Sequence, residues 1–193
     1  MKQFLERLKR SRSFYSSLGL LLVVFIASIS IREFMTLSNV TTLFRQAATL
    51  LVLSTGLTAV ILTGNIDLSV GATAGMIGCI CAQFLRMGLP VPLIFLIAVV
   101  LGIIVGIINA SLIGIIGLPS FIATFGSNWV ISGISIIVMN GAVIFGLPEN
   151  FTWFGVGYIG PIPVIVIIAL IVVSIAFVIL QKTTFGRDVY ALG

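Results

Sequence analysis

The chain has 193 residues, of which 60% are hydrophobic and 8% are charged, and its mean hydropathy is +1.31. A soluble domain carries roughly 25% charged residues, so this composition excludes an ordinary soluble protein. The net charge of +5 is concentrated before the first apolar segment, which indicates a membrane-orientation signal and no nucleic-acid partner.

Six apolar segments follow one another along the chain. Each has about 17 to 23 residues, the length that a helix needs to cross hydrocarbon roughly 30 Å thick. We predict spans at Phe14–Ile31, Ala47–Thr63, Leu68–Leu85, Val91–Ile113, Ser120–Met139 and Pro161–Leu180. The expected fold class is therefore all-α, a polytopic transmembrane helix bundle embedded in the lipid bilayer.

The positions of lysine and arginine predict which ends of the spans lie in the cytoplasm, where basic residues are favoured. One group of basic residues precedes the first span or follows the last: Lys2, Arg7, Lys9, Arg10, Arg12, Lys182 and Arg187. The others are Arg32, Arg45 and Arg86. We therefore expect one transmembrane domain over 1–193, with a cytoplasmic N-terminus (1–13), a cytoplasmic tail (181–193) and cytoplasmic links at Gly64–Asp67 and Gly114–Pro119.

The external connection Asn140–Gly160 is the longest link between predicted spans and is rich in glycine and aromatic residues. Aromatic side chains favour the headgroup level of a bilayer. The segment is therefore predicted to anchor at the membrane interface, and docking of an external partner stays open as an alternative.

Asp67 is the only acidic residue between Glu33 and Glu149. A charge at the centre of a membrane helix costs about 2.5–3.5 kcal/mol on insertion scales, so Asp67 is expected to have partners. Two compatible interpretations stay open. Asp67 caps the third helix by accepting N–H bonds near its start, or Asn65, Asp67 and Ser69 line a polar cavity between broken helices.

The fifth span is the most polar. It combines hydroxyls, an amide and aromatic rings in Ser120, Phe121, Thr124, Asn128, Trp129 and Ser132. This mixture suits an uncharged polyhydroxy solute better than an ion. Hydrogen bonding between helices is the alternative, and it is the default for other polar residues in the spans, such as Asn109 and Ser127.

Several chemistries are excluded or disfavoured by residues that the sequence lacks. It contains no histidine and no G-x-x-x-x-G-K-[ST] loop, so His-ligated metal sites and ATP hydrolysis by this chain are excluded. Cys79 and Cys81 are interpreted as small buried apolar side chains. One intramembrane carboxylate argues against a proton or sodium route. We expect no enzyme activity and no cofactor.

Three stretches carry a family resemblance. Leu62–Gly71 reads LTGNIDLSVG, Pro119–Gly126 reads PSFIATFG and Thr184–Gly193 reads TFGRDVYALG. They resemble the LTGGIDLSVG, PPFIATLG and T-x-GR-x-x-YALG segments of the permease subunits of ATP-binding cassette importers for monosaccharides of the ribose, xylose and galactose type. Asn65, Ser120 and Phe125 depart from these patterns, and Asn65 is a residue that tolerates a left-handed turn.

The resemblance implies uptake of a sugar through the bacterial cytoplasmic (inner) membrane. It implies as partners a second permease chain, cytoplasmic ATPase subunits and an extracytoplasmic sugar-binding protein. By the family motifs, the substrate pathway residues are Asn65, Asp67, Ser69, Phe121 and Thr124. Such permeases run to roughly ten membrane helices, so the resemblance implies a C-terminally truncated portion with about six spans.

Two other functions stay open. A branched-chain amino acid permease has a similar architecture, but its glycine-rich segment after the second span usually lacks the IDLSVG string. A truncated structural membrane protein without transport activity is the second alternative. Secondary transport and ion conduction are less favoured than either.

Overall fold

The computed structural model describes residues 12–193, and the chain divides into two compact units, Met1–Phe44 and Arg45–Gly193. Most of the basic cluster of the predicted cytoplasmic N-terminus lies outside the described residues. Within the described part the elements are α1 (Arg12–Ser30), α2 (Leu37–Leu62), α3 (Val70–Arg86), α4 (Val91–Gly114), α5 (Ser120–Met139), α6 (Glu149–Val156), β1 (Tyr158–Ile159), β2 (Ile162–Pro163), α7 (Val164–Lys182) and α8 (Thr184–Leu192).

The helices have the length and composition of membrane spans. Helices α2, α4, α5 and α7 are long and apolar enough to cross a bilayer, and two shorter apolar helices cover Tyr15–Ser30 and Val70–Arg86. Large apolar side chains are exposed along these helices, which is the surface that lipid solvates and water does not. Each of the six predicted segments coincides with one helix, so the prediction of an all-α multi-pass membrane protein is confirmed.

The first unit contains α1 and the beginning of α2, joined by a short turn. Thr36 caps α2, because its Oγ1 accepts a hydrogen bond from the Asn39 backbone nitrogen at 3.3 Å. The Asn39 side chain in turn donates to the Phe34 carbonyl at 2.7 Å. Helix α2 therefore begins at Leu37, well before the predicted Ala47, since its first turns are polar and the apolar pattern does not mark them.

In the second unit, α3 packs mainly against α5 and α4. Met76, Val105 and Ile131 form one buried cluster across these three helices. A second cluster joins Cys81 and Leu85 of α3 to Ile94 of α4. Cys81 is thus a small buried side chain, as the sequence predicts, whereas Cys79 is partly exposed.

The links between helices alternate between the two ends of this bundle. Thr63, Gly114 and Phe185, which follow or end α2, α4 and α7, line one common cavity. At the other end, Leu85 at the end of α3 belongs to the cluster that also contacts Leu147. Consecutive helices of the second unit from α2 to α5 therefore run in opposite directions. Which end faces the cytoplasm stays a prediction.

The long connection after α5 is more ordered than the predicted interfacial loop. It contains α6 and an antiparallel hairpin of β1 and β2. The Arg45 Nη2 donates to the Val156 carbonyl at 2.6 Å, and its guanidinium lies 4.8 Å from the centre of the Tyr158 ring. Phe154 packs edge-on against Phe95 of α4 with ring centres 5.2 Å apart. Some of its aromatic rings therefore hold the connection on the helices.

Candidate functional site

The helical structure is interrupted between α2 and α3 by an extended segment, here called the break, and not by a tight turn. After Leu62, Gly64 adopts a φ of +74°, and no helix resumes until Val70. The left-handed residue is thus Gly64 and not Asn65, whose φ is not positive. The Asn65 amide stabilises the turn by donating to the Thr63 carbonyl and to its hydroxyl, both at 3.1 Å.

The extended segment of this break lies against the first turns of α5. The Ile66 backbone nitrogen donates to the Ser120 hydroxyl at 3.3 Å. The Leu68 backbone nitrogen donates to Thr124 Oγ1 at 3.2 Å, and this hydroxyl also lies 3.2 Å from the Ile66 carbonyl. Backbone groups freed by the break thereby find partners on α5, which an apolar membrane interior requires.

Asp67 accepts two hydrogen bonds from one neighbour. The backbone nitrogen and the hydroxyl of Ser69 both donate to Asp67 Oδ1 at 2.7 Å. Ser69 is 1% exposed and occupies the N-cap position of α3. The carboxylate thus binds the Ser69 N–H just before α3, as the capping interpretation predicts, but the N-cap position of α3, Ser69, makes no side-chain cap bond of its own.

Two further polar residues extend this arrangement across the bundle. Asn109 of α4 donates from Nδ2 to Ser69 Oγ at 2.8 Å, and Ser127 of α5 donates to Asn109 Oδ1 at 2.6 Å. Neither residue was among the predicted pathway residues. The sequence feature that could have identified them is Asn109 itself, an amide in a strongly apolar helix, because a buried amide needs hydrogen-bond partners.

The break borders a cavity of about 460 Å³, here called the loop cavity. Its walls are Ala59, Val60, Thr63, Asn65, Ile66, Asp67, Gly106, Asn109, Ala110, Ile113, Gly114, Thr124, Phe185 and Val189. Ser69 borders a smaller neighbouring cavity of about 280 Å³, together with Asp67 and Asn109. The polar-cavity interpretation and the capping interpretation therefore describe the same segment.

The structure brings four of the five predicted pathway residues together. Asn65, Asp67, Ser69 and Thr124 lie at or next to the loop cavity. Phe121 does not join them. It is 54% exposed on α5 and stacks on Phe125 with ring centres 6.0 Å apart.

The loop cavity has the size and chemistry of a small-solute site. Its volume falls within the range of roughly 300–1,000 Å³ that is usual for small-molecule sites. It offers a carboxylate, amides and hydroxyls against apolar walls. No lysine or arginine of the described residues is among its walls. Such a site can form hydrogen bonds with an uncharged solute, but its described residues offer no positive charge to pair with an anion.

Comparison with known proteins gives a family and several relatives. Residues 39–193 match the family model "Branched-chain amino acid transport system / permease component". The chain is 31% identical to the autoinducer 2 import system permease protein LsrC of Photorhabdus luminescens, over 98% of this chain and 57% of the relative. It is 32% identical to the ribose import permease protein RbsC of Haemophilus influenzae, over 92% of this chain and 56% of the relative.

A third relative is the D-allose transport system permease protein AlsC of Escherichia coli, 33% identical over 90% of this chain and 53% of the relative. The chain thus spans little more than half the length of the curated relatives it matches. No solved structure matches it.

Proposed function

Because this chain belongs to the family of permease components of branched-chain amino acid transport systems, we propose that it serves in the membrane permease of an ATP-binding cassette importer. Members of this family are transporter subunits and not enzymes. The proposed solute is a monosaccharide, since two relatives that match 90% or more of this chain are named for the import of ribose and of D-allose.

The observation that carries the choice of solute is the chemistry of the loop cavity. An amino acid presents a carboxylate, which proteins usually pair with a cation or with several N–H donors. In the described residues the cavity wall has no basic side chain, and its ionisable group, Asp67, is itself an acceptor. A sugar instead needs acceptors and donors for its hydroxyls, which Asp67 and Asn65 supply. This favours a sugar over a branched-chain amino acid.

The proposed solute path runs along the break before α3. Asn65, Asp67 and Thr124 meet the solute in the loop cavity, and Ser69 supports Asp67 from beside it. We further propose that the solute contacts Phe121 outside this cavity, on the aromatic face that Phe121 shares with Phe125.

The proposed partners supply what this chain lacks. Cytoplasmic ATPase subunits would provide the hydrolysis for which this sequence has no phosphate-binding loop. An extracytoplasmic sugar-binding protein would deliver the solute, and a second permease chain would complete the path. We place the chain in the bacterial cytoplasmic membrane as a single domain over 1–193. Its N-terminus (1–13) and tail (181–193) lie in the cytoplasm, by the distribution of basic residues.

The test is uptake by the complete import system in cells. Cells that lack the gene are compared with complemented cells for uptake of labelled ribose, allose and valine. We expect the sugars, and not valine, to depend on the gene. Loss of valine uptake alone would replace the sugar by an amino acid, and unchanged uptake of all three would favour a structural membrane protein.

The site is tested in the same cells with Asp67→Asn and Asp67→Ala. The matched control is Glu149→Gln, which neutralises a carboxylate at the start of α6, away from the loop cavity. Membrane levels of each variant are measured by immunoblot. We expect Asp67→Ala to abolish most sugar uptake at a normal protein level and Glu149→Gln to leave it unchanged. Equal uptake by all variants would contradict the role of Asp67.

A further inference from the structure

Asn109 is a buried amide in the wall of an otherwise strongly apolar helix. It lies five residues before α4 ends at Gly114, and it is 6% exposed. An amide without hydrogen bonds is costly in an apolar environment. Both ends of this amide have partners on other segments, Ser69 before α3 and Ser127 on α5. Asn109 therefore connects three parts of the bundle.

The hydrogen bonds run in one direction, from α5 towards the carboxylate. Ser127 Oγ donates to Asn109 Oδ1, and Asn109 Nδ2 donates to Ser69 Oγ. Ser69 Oγ then donates to Asp67 Oδ1. A hydroxyl has a single proton to donate, and Ser69 uses it on Asp67. Only the NH₂ end of Asn109 can face Ser69, because its carbonyl end would bring two acceptors together.

Asn109 also stands where three cavities meet. It lines the loop cavity and the smaller cavity beside it. It also lines an apolar groove of about 500 Å³ between α4 and α5, whose walls include Ile104, Ile108 and Val130. The amide is thus at the boundary between the polar break and the apolar helix surfaces.

We propose that Asn109 is a positioning residue for the solute. By holding Ser69, it fixes the direction of the Asp67 carboxylate at the loop cavity. Through Ser127, it makes that direction depend on the position of α5. This inference rests on the proposed function, since Asp67 is the group that meets the solute and Asn109 acts through Ser69. A shift of α5 that breaks the Ser127 bond frees the amide and loosens the carboxylate.

The first measurement uses the purified full chain and requires no transport. A hydrophobic carbodiimide is added, and its attachment to Asp67 is followed by mass spectrometry of the peptide that contains this carboxylate. Asn109→Leu removes the donor to Ser69 at similar volume. We expect Asp67 to react about threefold to tenfold faster in this variant, the range that corresponds to one lost hydrogen bond in a membrane protein. An unchanged rate would overturn the proposal.

The matched control is Ser111→Ala. Ser111 lies on the same helix, but its hydroxyl donates to the Ile107 carbonyl of that helix at 2.7 Å. We expect the wild-type labelling rate in this variant. Ser127→Ala serves as the milder variant should Asn109→Leu fail to fold, because it keeps the Asn109–Ser69 bond. It should raise the rate by a smaller factor, and no increase in either variant would count against the proposal.

The second measurement is sugar uptake by the complete import system at matched membrane levels. Asn109→Leu should reduce uptake, and Ser111→Ala should not. The double variant Ser69→Ala/Asn109→Leu should be no worse than Ser69→Ala alone, because both residues act on Asp67 as one unit. Faster labelling with wild-type uptake would overturn the positioning role. If the wild-type chain supports no sugar uptake, the proposed function fails independently of any Asn109 variant.

Discussion

The hydroxyl of Thr124 accepts a hydrogen bond from the backbone nitrogen of Leu68 at 3.2 Å. Thr124 is 1% exposed, so this bond is buried at the edge of the loop cavity. The Thr124 side chain on α5 thereby accepts the hydrogen bond that a backbone carbonyl would accept from Leu68 in a continuous helix. The break before α3 depends on α5 for its shape.

We expect Thr124→Val to destabilise the protein by about 1–3 kcal/mol, because the Leu68 N–H is left buried without an acceptor. Thr124→Ser keeps the hydroxyl and should lose less. The measurement is the unfolding midpoint of the purified protein in detergent. Thr58→Val is the control, since the Thr58 hydroxyl donates only within its own helix, to the Ser54 carbonyl. Equal midpoints for the two valine variants would contradict this role of Thr124.

Gly186 allows α8 to pack on the last turn of α7. A Cβ at this position would overlap the Leu180 carbonyl, so Gly186→Ala should displace α8. A cysteine at the buried position 189 reports this, and we expect Val189→Cys to react with maleimide severalfold faster when Gly186→Ala is added. Gly133→Ala, where a Cβ meets nothing within 4 Å, should leave the rate unchanged. The same rate in both combinations would show that α8 does not need this glycine.

The two cysteines should differ in reactivity. Cys81 is 5% exposed and its Sγ lies 3.9 Å from the Ile94 carbonyl, whereas Cys79 is partly exposed. Because access governs modification of otherwise similar thiols, a small membrane-permeant maleimide should label Cys79 first. Peptide mass spectrometry of the folded chain checks the order, with the denatured chain as the reference for equal access. Preferential labelling of Cys81 would contradict the packing of α3 on α4.

Arg45 should stabilise the connection between α5 and α7. Arg45→Gln removes the charged hydrogen bond to the Val156 carbonyl and the contact with the Tyr158 ring. A hydrogen bond to a charged group contributes about 1.5–3 kcal/mol, so local opening should become easier. We expect faster deuterium exchange at the Val164 amide, which donates to the Gly157 carbonyl.

The control for this prediction is Arg86→Gln, which removes an exposed charge at the end of α3. Exchange at the Val164 amide should match the wild-type rate in that variant. If both substitutions raise the exchange rate equally, the effect belongs to lost charge in general and not to the contacts of Arg45.

The sequence predicts the helices well wherever helix-boundary residues and the limits of the apolar segment agree. Helix α5 has the predicted bounds, Ser120–Met139, because Pro119 precedes it and Asn140 adopts a left-handed conformation after it. The start of α2 could not be predicted from apolar length, since Thr36 and Asn39 define it through a cap. Local hydrogen bonds of this kind are recognisable only when a polar residue is considered as a possible helix start.

The candidate site was predictable only in part. Asp67 is identifiable as a candidate because it is the only acidic residue between Glu33 and Glu149. Its hydrogen-bonded connection to Ser127 could not be predicted, because it runs through Ser69 and through Asn109 on another helix. These helices are apolar on nearly every side because lipid surrounds them, so hydrophobic periodicity does not reveal which faces meet. Phe121 shares a motif with Thr124 and lies less than one turn before it on α5, yet it is 54% exposed whereas Thr124 is buried against the break, a difference that helical spacing does not reveal.

Helix α8 has two faces with different surroundings. Phe185 and Val189 belong to the wall of the loop cavity, while Arg187 and Asp188 point to solvent-accessible surface. Because two of its residues belong to the cavity wall, α8 cannot lie elsewhere without changing that wall. The volume of the loop cavity beside Asp67 therefore depends on where α8 lies.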